Sequence, residues 1–216
     1  FFDSRATLKF HSKNSLIKKD YVIAYLFKNE SKINTIAKKD IDFIFVGRNH
    51  PLKRLDLVNY LIKILSLKIK KANFLCIVAG NTYKPFNKLI SSTDIEVKYN
   101  IENSDVLNYL RRSKFYIQLS DYEGMSMTTI DAIQNLTLPI VRPVGELRNI
   151  LDDSNSIIIK GNNELHIDNA IEKIVKIYND KKTMKKISSL ASKELKKISY
   201  YTNTFSKNIN EIYSSN

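Results

Sequence analysis

The chain holds only five glycines, and each one follows a short apolar run. Gly47 closes Ile41–Val46 and Gly80 closes Phe74–Ala79. Gly124 comes a few residues after Phe115–Leu119, Gly145 after Leu138–Val141, and Gly161 after Ser156–Lys160. Average glycine usage is about 7%, so glycine this scarce marks places where the backbone has no alternative. Four to six apolar residues ending in a turn signal are the pattern of a strand buried on both faces. Five strands, each leading into a glycine-bearing loop, therefore frame the chain.

Helical periodicity fills the intervals. Residues 53 to 71 space Leu55, Val58, Leu61, Ile62, Leu65 and Ile69 by threes and fours. Residues 104 to 112 begin with Ser104-Asp105 as a candidate N-cap, and residues 125 to 136 carry Met127, Ile130, Ile133 and Leu136. A sixth strand, Ile95–Tyr99, falls between the first two helices. Strand and helix alternating over 41 to 160 is the signature of an α/β fold with a doubly wound parallel sheet. Beyond residue 162 the pattern is entirely helical, at about 164 to 178, 181 to 198 and 202 to 213. Residues 1 to 40 are expected to be the tail of a preceding domain plus a linker, with Tyr21–Phe27 a strand or apolar linker. The start, Phe1-Phe2-Asp3-Ser4-Arg5, reads as a cut end, so a piece of a longer protein is expected.

Thirty-five Lys and Arg against 22 Asp and Glu give a formal charge of +13, which calls for an anionic partner. The single Cys76, inside an apolar run, excludes an intramolecular disulfide framework and suggests a buried thiol in a reducing compartment. The expected location is the cytoplasm. Lysines at 181, 182, 185, 186, 193, 196 and 197 alternate with Ile and Leu; they form either a solvated helix face or a patch for the anionic inner face of a membrane. No zinc-finger spacing, leucine zipper or RNP-like motif accompanies them, so nucleic acid is not the expected partner.

Doubly wound sheets bind ligands at the carboxyl ends of their strands, and two of those loops hold unusual polar residues. In Gly47-Arg48-Asn49-His50-Pro51-Leu52-Lys53-Arg54, Pro51 suits a first helical turn. Lys53 and Arg54 would then sit at the positive end of a helix dipole, at a cost of about 0.3–1 kcal/mol each. A bound phosphate would reverse that cost, whereas side chains extended into water would only reduce it. In the second loop, Ser120 to Ala132, Glu123 precedes a helix. Asp131 lies about two turns inside it, with Met127 and Asn135 rather than a cation four residues away.

Taken in order, Val46-Gly47-Arg48 with Lys53, Ser120-x-x-Glu123-Gly124 with an acid eight residues after Glu123, Leu138-Pro139-Ile140-Val141 and Val144-Gly145 resemble the carboxyl-terminal, nucleotide-sugar-binding domain of GT-B glycosyltransferases of family 4. The resemblance covers about 41 to 160, and Tyr201–Tyr213 looks like the family's terminal crossover helix. It implies a Rossmann-like domain at 41–198 and a crossover helix at 199–216. Carried over by position, Arg48 and Lys53 match the pair that binds the donor diphosphate and stabilises the departing nucleotide. Glu123 matches the first acid of the family's E-x7-E motif, near the donor sugar. Gly47, Gly124, Met125 and Ser126 fall in the donor-binding loops, and Ile101 in the loop that holds the base. Asp131 matches the acid that binds ribose, but the family usually has Glu there, one methylene longer. A second departure follows Gly145, where Glu146, Arg148 and Asn149 replace the commoner Gly, Pro and Glu.

The resemblance further implies a retaining, hexosyltransferase-type enzyme without a metal cofactor, working in bacterial surface polysaccharide synthesis. A nucleotide-diphosphate sugar would be its donor and a glycan or lipid-linked molecule its acceptor. The alternative is a non-catalytic partner subunit that keeps the fold and uses its basic surface to bind a protein or membrane.

Overall fold

The structure, a computed structural model, describes residues 38–80 and 95–214. The expectations for residues 1–37, including Tyr21–Phe27, and for the loop that follows Gly80 lie outside the described residues. Six strands form one sheet, all pairs parallel: β1 (Ile41–Arg48), β2 (Phe74–Ala79), β3 (Ile95–Tyr99), β4 (Ser113–Gln118), β5 (Leu138–Val141) and β6 (Ile157–Ile158). Their order is β3-β2-β1-β4-β5-β6. The chain winds outward from β1 in one direction, then returns to the other side of β1 with β4. This reversal leaves a crevice above the carboxyl ends of β1 and β4.

Alternation along each strand fixes which residues meet which helices. Phe43 lies opposite Phe74 on one neighbouring strand and Phe115 on the other. The three rings stack, with centroids 5.2 and 5.0 Å apart, and Tyr178 adds a fourth ring 5.9 Å from Phe43. On this face Phe45, Cys76 and Ile117 also pack against α1 (Leu55–Lys68). They meet α5 (Glu164–Asn179) as well, through Ile167, Ile171 and Ile174. On the other face Ile44, Leu75, Ile77 and Tyr116 meet α2 (Asn103–Arg112) at Leu110 and α3 (Met127–Gln134) at Ala132. A third apolar cluster joins α3, the short α4 (Leu147–Ile150) and α6 (Lys181–Ser214) through Ile130, Ile133, Leu147, Ala191 and Leu195. The amino end of the sheet is pinned by charge. Asp42, buried beneath Lys114, accepts from the Asn73 amide at 2.8 Å, and Asp40 forms two bonds to Arg112.

Three boundaries differ from the sequence expectation. The expected gap near 199–201 does not exist, because Ser199-Tyr200-Tyr201 contains no breaker and α6 continues as one helix of 34 residues. The boundary expected at residue 198 therefore falls inside a helix. At α2, Glu102 occupies the cap position and Ser104 and Asp105 fall in the first turn. Ser156–Lys160 is strand only at Ile157–Ile158, where β6 forms the sheet edge, with the Ile159 amide still donating to the Val141 carbonyl at 2.8 Å.

After β5 the chain turns at Gly145, whose φ is +60°. A Cβ there would lie 2.0 Å from the Glu123 carbonyl oxygen and 2.5 Å from that of Gly124. The turn is thus pressed directly on the β4–α3 loop. Gly145→Ala should lower stability by more than about 1 kcal/mol, measured by denaturant unfolding. Cys76 is 1% exposed, and burial pushes its thiol up to about 12. A thiol reagent at pH 8 should label it only after unfolding, as read by mass spectrometry with and without denaturant.

Candidate active site at the sheet crevice

The loop after β1 departs from a simple helix start. Pro51–Lys53 forms a 3-10 turn capped by His50, whose Nδ1 accepts from the Leu52 amide at 3.2 Å. Arg54 then takes a left-handed conformation, φ 49°, and α1 begins only at Leu55. Lys53 and Arg54 therefore lie just before the first turn of α1, Arg54 at its cap position. Arg54 forms a double hydrogen bond to Asp56 in that turn, which holds the Asp56 carboxyl below its ordinary range. The kink leaves Lys53 free to turn back across the crevice.

Lys53 Nζ lies 2.6 Å from Glu123 Oε1, joining the β1–α1 loop to the β4–α3 loop. Gln118, 3% exposed at the end of β4, donates its Nε2 to the same oxygen at 3.2 Å. Two donors thus hold one carboxylate oxygen in a half-closed site, where an ion pair is stronger than on an open surface. Arg48 at the end of β1 is exposed, and its guanidinium makes no ion pair with a described residue.

Gly47, Arg48 and Lys53 line a cleft of about 240 Å³, together with Val78, Asn100 and Ile101. The structure therefore brings four of the expected residues, Gly47, Arg48, Lys53 and Ile101, into one cavity, with Glu123 tied to its rim through Lys53. Asn100 shapes the far wall: it sits at φ 48° and its Oδ1 accepts from the Gly80 amide at 2.9 Å. Gly124, Met125, Ser126 and Asp131 do not line this cavity. The Met125 side chain is buried in the third apolar cluster, so only its backbone faces the loop's chemistry. Ser126 is left-handed, with its hydroxyl 2.8 Å from that of Thr129.

Asp131 is the fifth residue of α3, little more than one turn in rather than two, because the left-handed Ser126 delays the helix. It lies three residues beyond the cleft-lining Thr128, hence on the same face of the helix. It is half-buried, burial raises its pKa, and its carboxylate accepts no bond from a described residue. Asp152 and Asp153 form a surface turn, Asp153 being paired with Lys173 at 2.8 Å. Gln118 is a contributor that motif spacing missed; its signal was a lone polar residue at the end of an apolar strand, whereas Asn100 falls with Ile101 in the loop expected to hold the base.

Several solved structures share this architecture. TarM of S. aureus, in a mutant form complexed with Fondaparinux, alpha-GlcNAc-glycerol and UDP, matches with a TM-score of 0.75 at 18% identity, over 89% of this chain and 39% of its own. The pneumococcal O-GlcNAc transferase GtfA, in complex with UDP and GlcNAc, matches at 0.67 and 16% identity, over 82% of this chain and 36% of its own. The carboxyl-terminal domain of LpcC, a group 1 glycosyl transferase of Francisella tularensis, matches at 0.60 and 16% identity, covering 72% of this chain and 85% of that domain. The chain thus spans under half the length of the first two. No curated protein matches it in sequence. The model of the glycosyl transferases group 1 family matches residues 27–194, well over half of the chain. This chain, a Rossmann-like parallel sheet with carboxyl-terminal helices as in the carboxyl-terminal half of a GT-B fold, belongs to that family.

Proposed function

We propose that the chain is the donor-binding half of a retaining, hexosyltransferase-type glycosyltransferase. It would pass a sugar from a nucleotide-diphosphate donor to a glycan or lipid-linked acceptor in bacterial surface polysaccharide synthesis. The observation that carries this reading is the convergence of Arg48 and Lys53 on one cleft beside Glu123, at the carboxyl ends of the strands. The UDP named in the TarM and GtfA complexes supports it. An acceptor site on a further domain agrees with the smaller share of those relatives that this chain spans.

In the proposed reaction the acceptor's hydroxyl oxygen bonds to the sugar's anomeric carbon from the face that the diphosphate leaves. The bond from that carbon to the diphosphate oxygen breaks with its electrons going to the nucleoside diphosphate, and the departing phosphate oxygen takes the hydroxyl proton. The growing negative charge is met by Arg48 and Lys53, positioned before the reaction begins. Lys53 must exchange Glu123 for phosphate, which releases the Glu123 carboxylate toward the sugar hydroxyls while Gln118 keeps its position. The Gly124 and Met125 amides would complete the phosphate site and Ile101 and Asn100 would wall the base. The missing Cβ of Gly47, which would meet the Phe45 ring at 2.7 Å, lets the end of β1 close over that ring. Asp131, half-buried without a described partner, would accept ribose hydroxyls. Gly145 holds the Glu123–Gly124 backbone in place.

We also place the protein in the cytoplasm, in peripheral contact with the anionic inner face of the plasma membrane. No helix among the described residues is long and apolar enough to cross a membrane. At about 100° per residue, the exposed Lys181, Lys182, Lys185, Lys186, Lys193, Lys196 and Lys197 fall within one arc of α6, opposite the buried Ala191 and Leu195.

Screening UDP, GDP, ADP and CMP sugars by thermal shift should show one class raising the melting temperature. Arg48→Ala with Lys53→Ala should abolish that shift. Wild-type protein that binds none of them would favour the non-catalytic partner subunit. Vesicles containing phosphatidylglycerol should sediment the chain at low salt and neutral phosphatidylcholine vesicles should not. Lys182, Lys186, Lys193 and Lys197 changed together to Glu should prevent the sedimentation.

A further inference from the structure

Three loops meet at Asp121. Its amide donates to the Leu52 carbonyl at 2.8 Å, which fixes the β4–α3 loop to the 3-10 turn that ends at Lys53. Its Oδ1 accepts from Arg54 Nη1 at 3.3 Å and also from Arg142 Nη1. Arg142 belongs to the loop after β5 and is largely buried. The same Nη1 reaches the carbonyls of Leu119 and Ser120 at 3.3 and 3.2 Å, and its backbone amide donates to Gln118 at 2.9 Å. One carboxylate therefore ties together the segments that carry Lys53, Glu123 and Gly145.

The conformation of Arg54 supplies a second, independent observation. A non-glycine residue at φ 49° is strained and persists only where its surroundings over-determine it. Here the guanidinium is held by Asp56 on one side and Asp121 on the other. That strained residue directly follows Lys53, so what holds Arg54 also sets where Lys53 can reach.

We propose that Asp121 is a positioning residue for the phosphate site. By clasping Arg54 and Arg142 it locks the β1–α1 turn against the β4–α3 loop and sets Lys53 at bonding distance from the phosphate and from Glu123. It touches no donor atom itself. This inference rests on the donor reading above, and it predicts a coupling between Asp121 and Lys53 that a merely stabilising ion pair would not produce. An exposed or half-exposed pair with only a local role contributes little to stability and nothing to a ligand bound elsewhere.

The experiment is calorimetric titration of the full 216-residue chain with whichever of UDP, GDP or ADP the wild type binds, alongside thermal melting. Asp121→Ala should weaken binding about tenfold, and Asp121→Glu should recover most of it. Lys53→Ala should cost far less affinity in the Asp121→Ala background than in the wild type, because the same contact is removed twice. If Asp121→Ala does not fold, Asp121→Asn, which keeps the volume and loses the charge, is read by the same criteria. Unchanged affinity in the variant, or losses that simply multiply in the double variant, would overturn the positioning role while leaving the donor site intact. Wild-type protein that binds none of the three diphosphates would overturn the donor reading and this inference with it.

Discussion

Strand β1 is the element on which the rest of the structure depends, because it is hydrogen-bonded on both sides and receives the chain from both directions of winding. Its Phe43 stacks with Phe74 and Phe115 and lies under Tyr178, so four rings from three strands and one helix share a single contact. Truncating such a residue typically costs about 3–5 kcal/mol, a large part of a domain's net stability. The same centrality creates the crevice. With β2 on one side and β4 on the other, the loops that leave β1 and β4 diverge to opposite faces of the sheet, and the space between them stays open at the carboxyl ends.

What lines that space is an electrostatic arrangement paired mostly within the chain, with Gln118 Oε1 buried and unpartnered among the described residues. Lys53 meets Glu123, Gln118 supports the same oxygen, and Asp121 gathers two arginines. Arg48 stands apart from this network, exposed at the cleft. An arriving polyanion would meet one cation already available and one that must be exchanged. Affinity for it would then depend on the difference between two ion pairs in a half-buried setting rather than on one new contact. The rigid contact at Gly145 matters for that exchange, since the Glu123 backbone cannot follow Lys53 without moving the turn after β5.

The sheet was legible because its signals are local: an apolar run, its length and the glycine that ends it. The same holds for Leu55–Lys68 and Glu164–Asn179, whose apolar spacing follows one helical face. The gathering of Gly47, Arg48, Lys53 and Ile101 was legible from the ordered motifs and the rule about carboxyl ends. Other features depend on partners distant in sequence. Pro51 is equally compatible with an α and a 3-10 start, and only the left-handed Arg54, held by Asp56 and Asp121, decides between them. Gln118 reads as one polar residue in a strand until Glu123 folds over it. Asp121 is an ordinary loop acid until Arg142 arrives from 21 positions away. The continuity of α6 differs for another reason: the separate crossover helix at 199–216 came from the family resemblance, whereas Ser199-Tyr200-Tyr201 holds neither glycine nor proline to interrupt the helix.

That uninterrupted α6 has a mechanical meaning. At about 1.5 Å per residue, its 34 residues make a rod of roughly 50 Å, where six strands at about 4.8 Å spacing give a sheet only about half as wide. Its fourth and fifth turns are seated on α3 and β5 through Ala191 and Leu195, beside the helix that carries Asp131. A tilt of about 5° at that seat would displace the far end, roughly 20 residues and about 30 Å away, by about 2.5 Å. Two helices joined by a loop would absorb the same tilt at the joint. One continuous helix acts as a lever, turning a small adjustment beside the cleft into a displacement large enough to be felt by whatever the distal end touches.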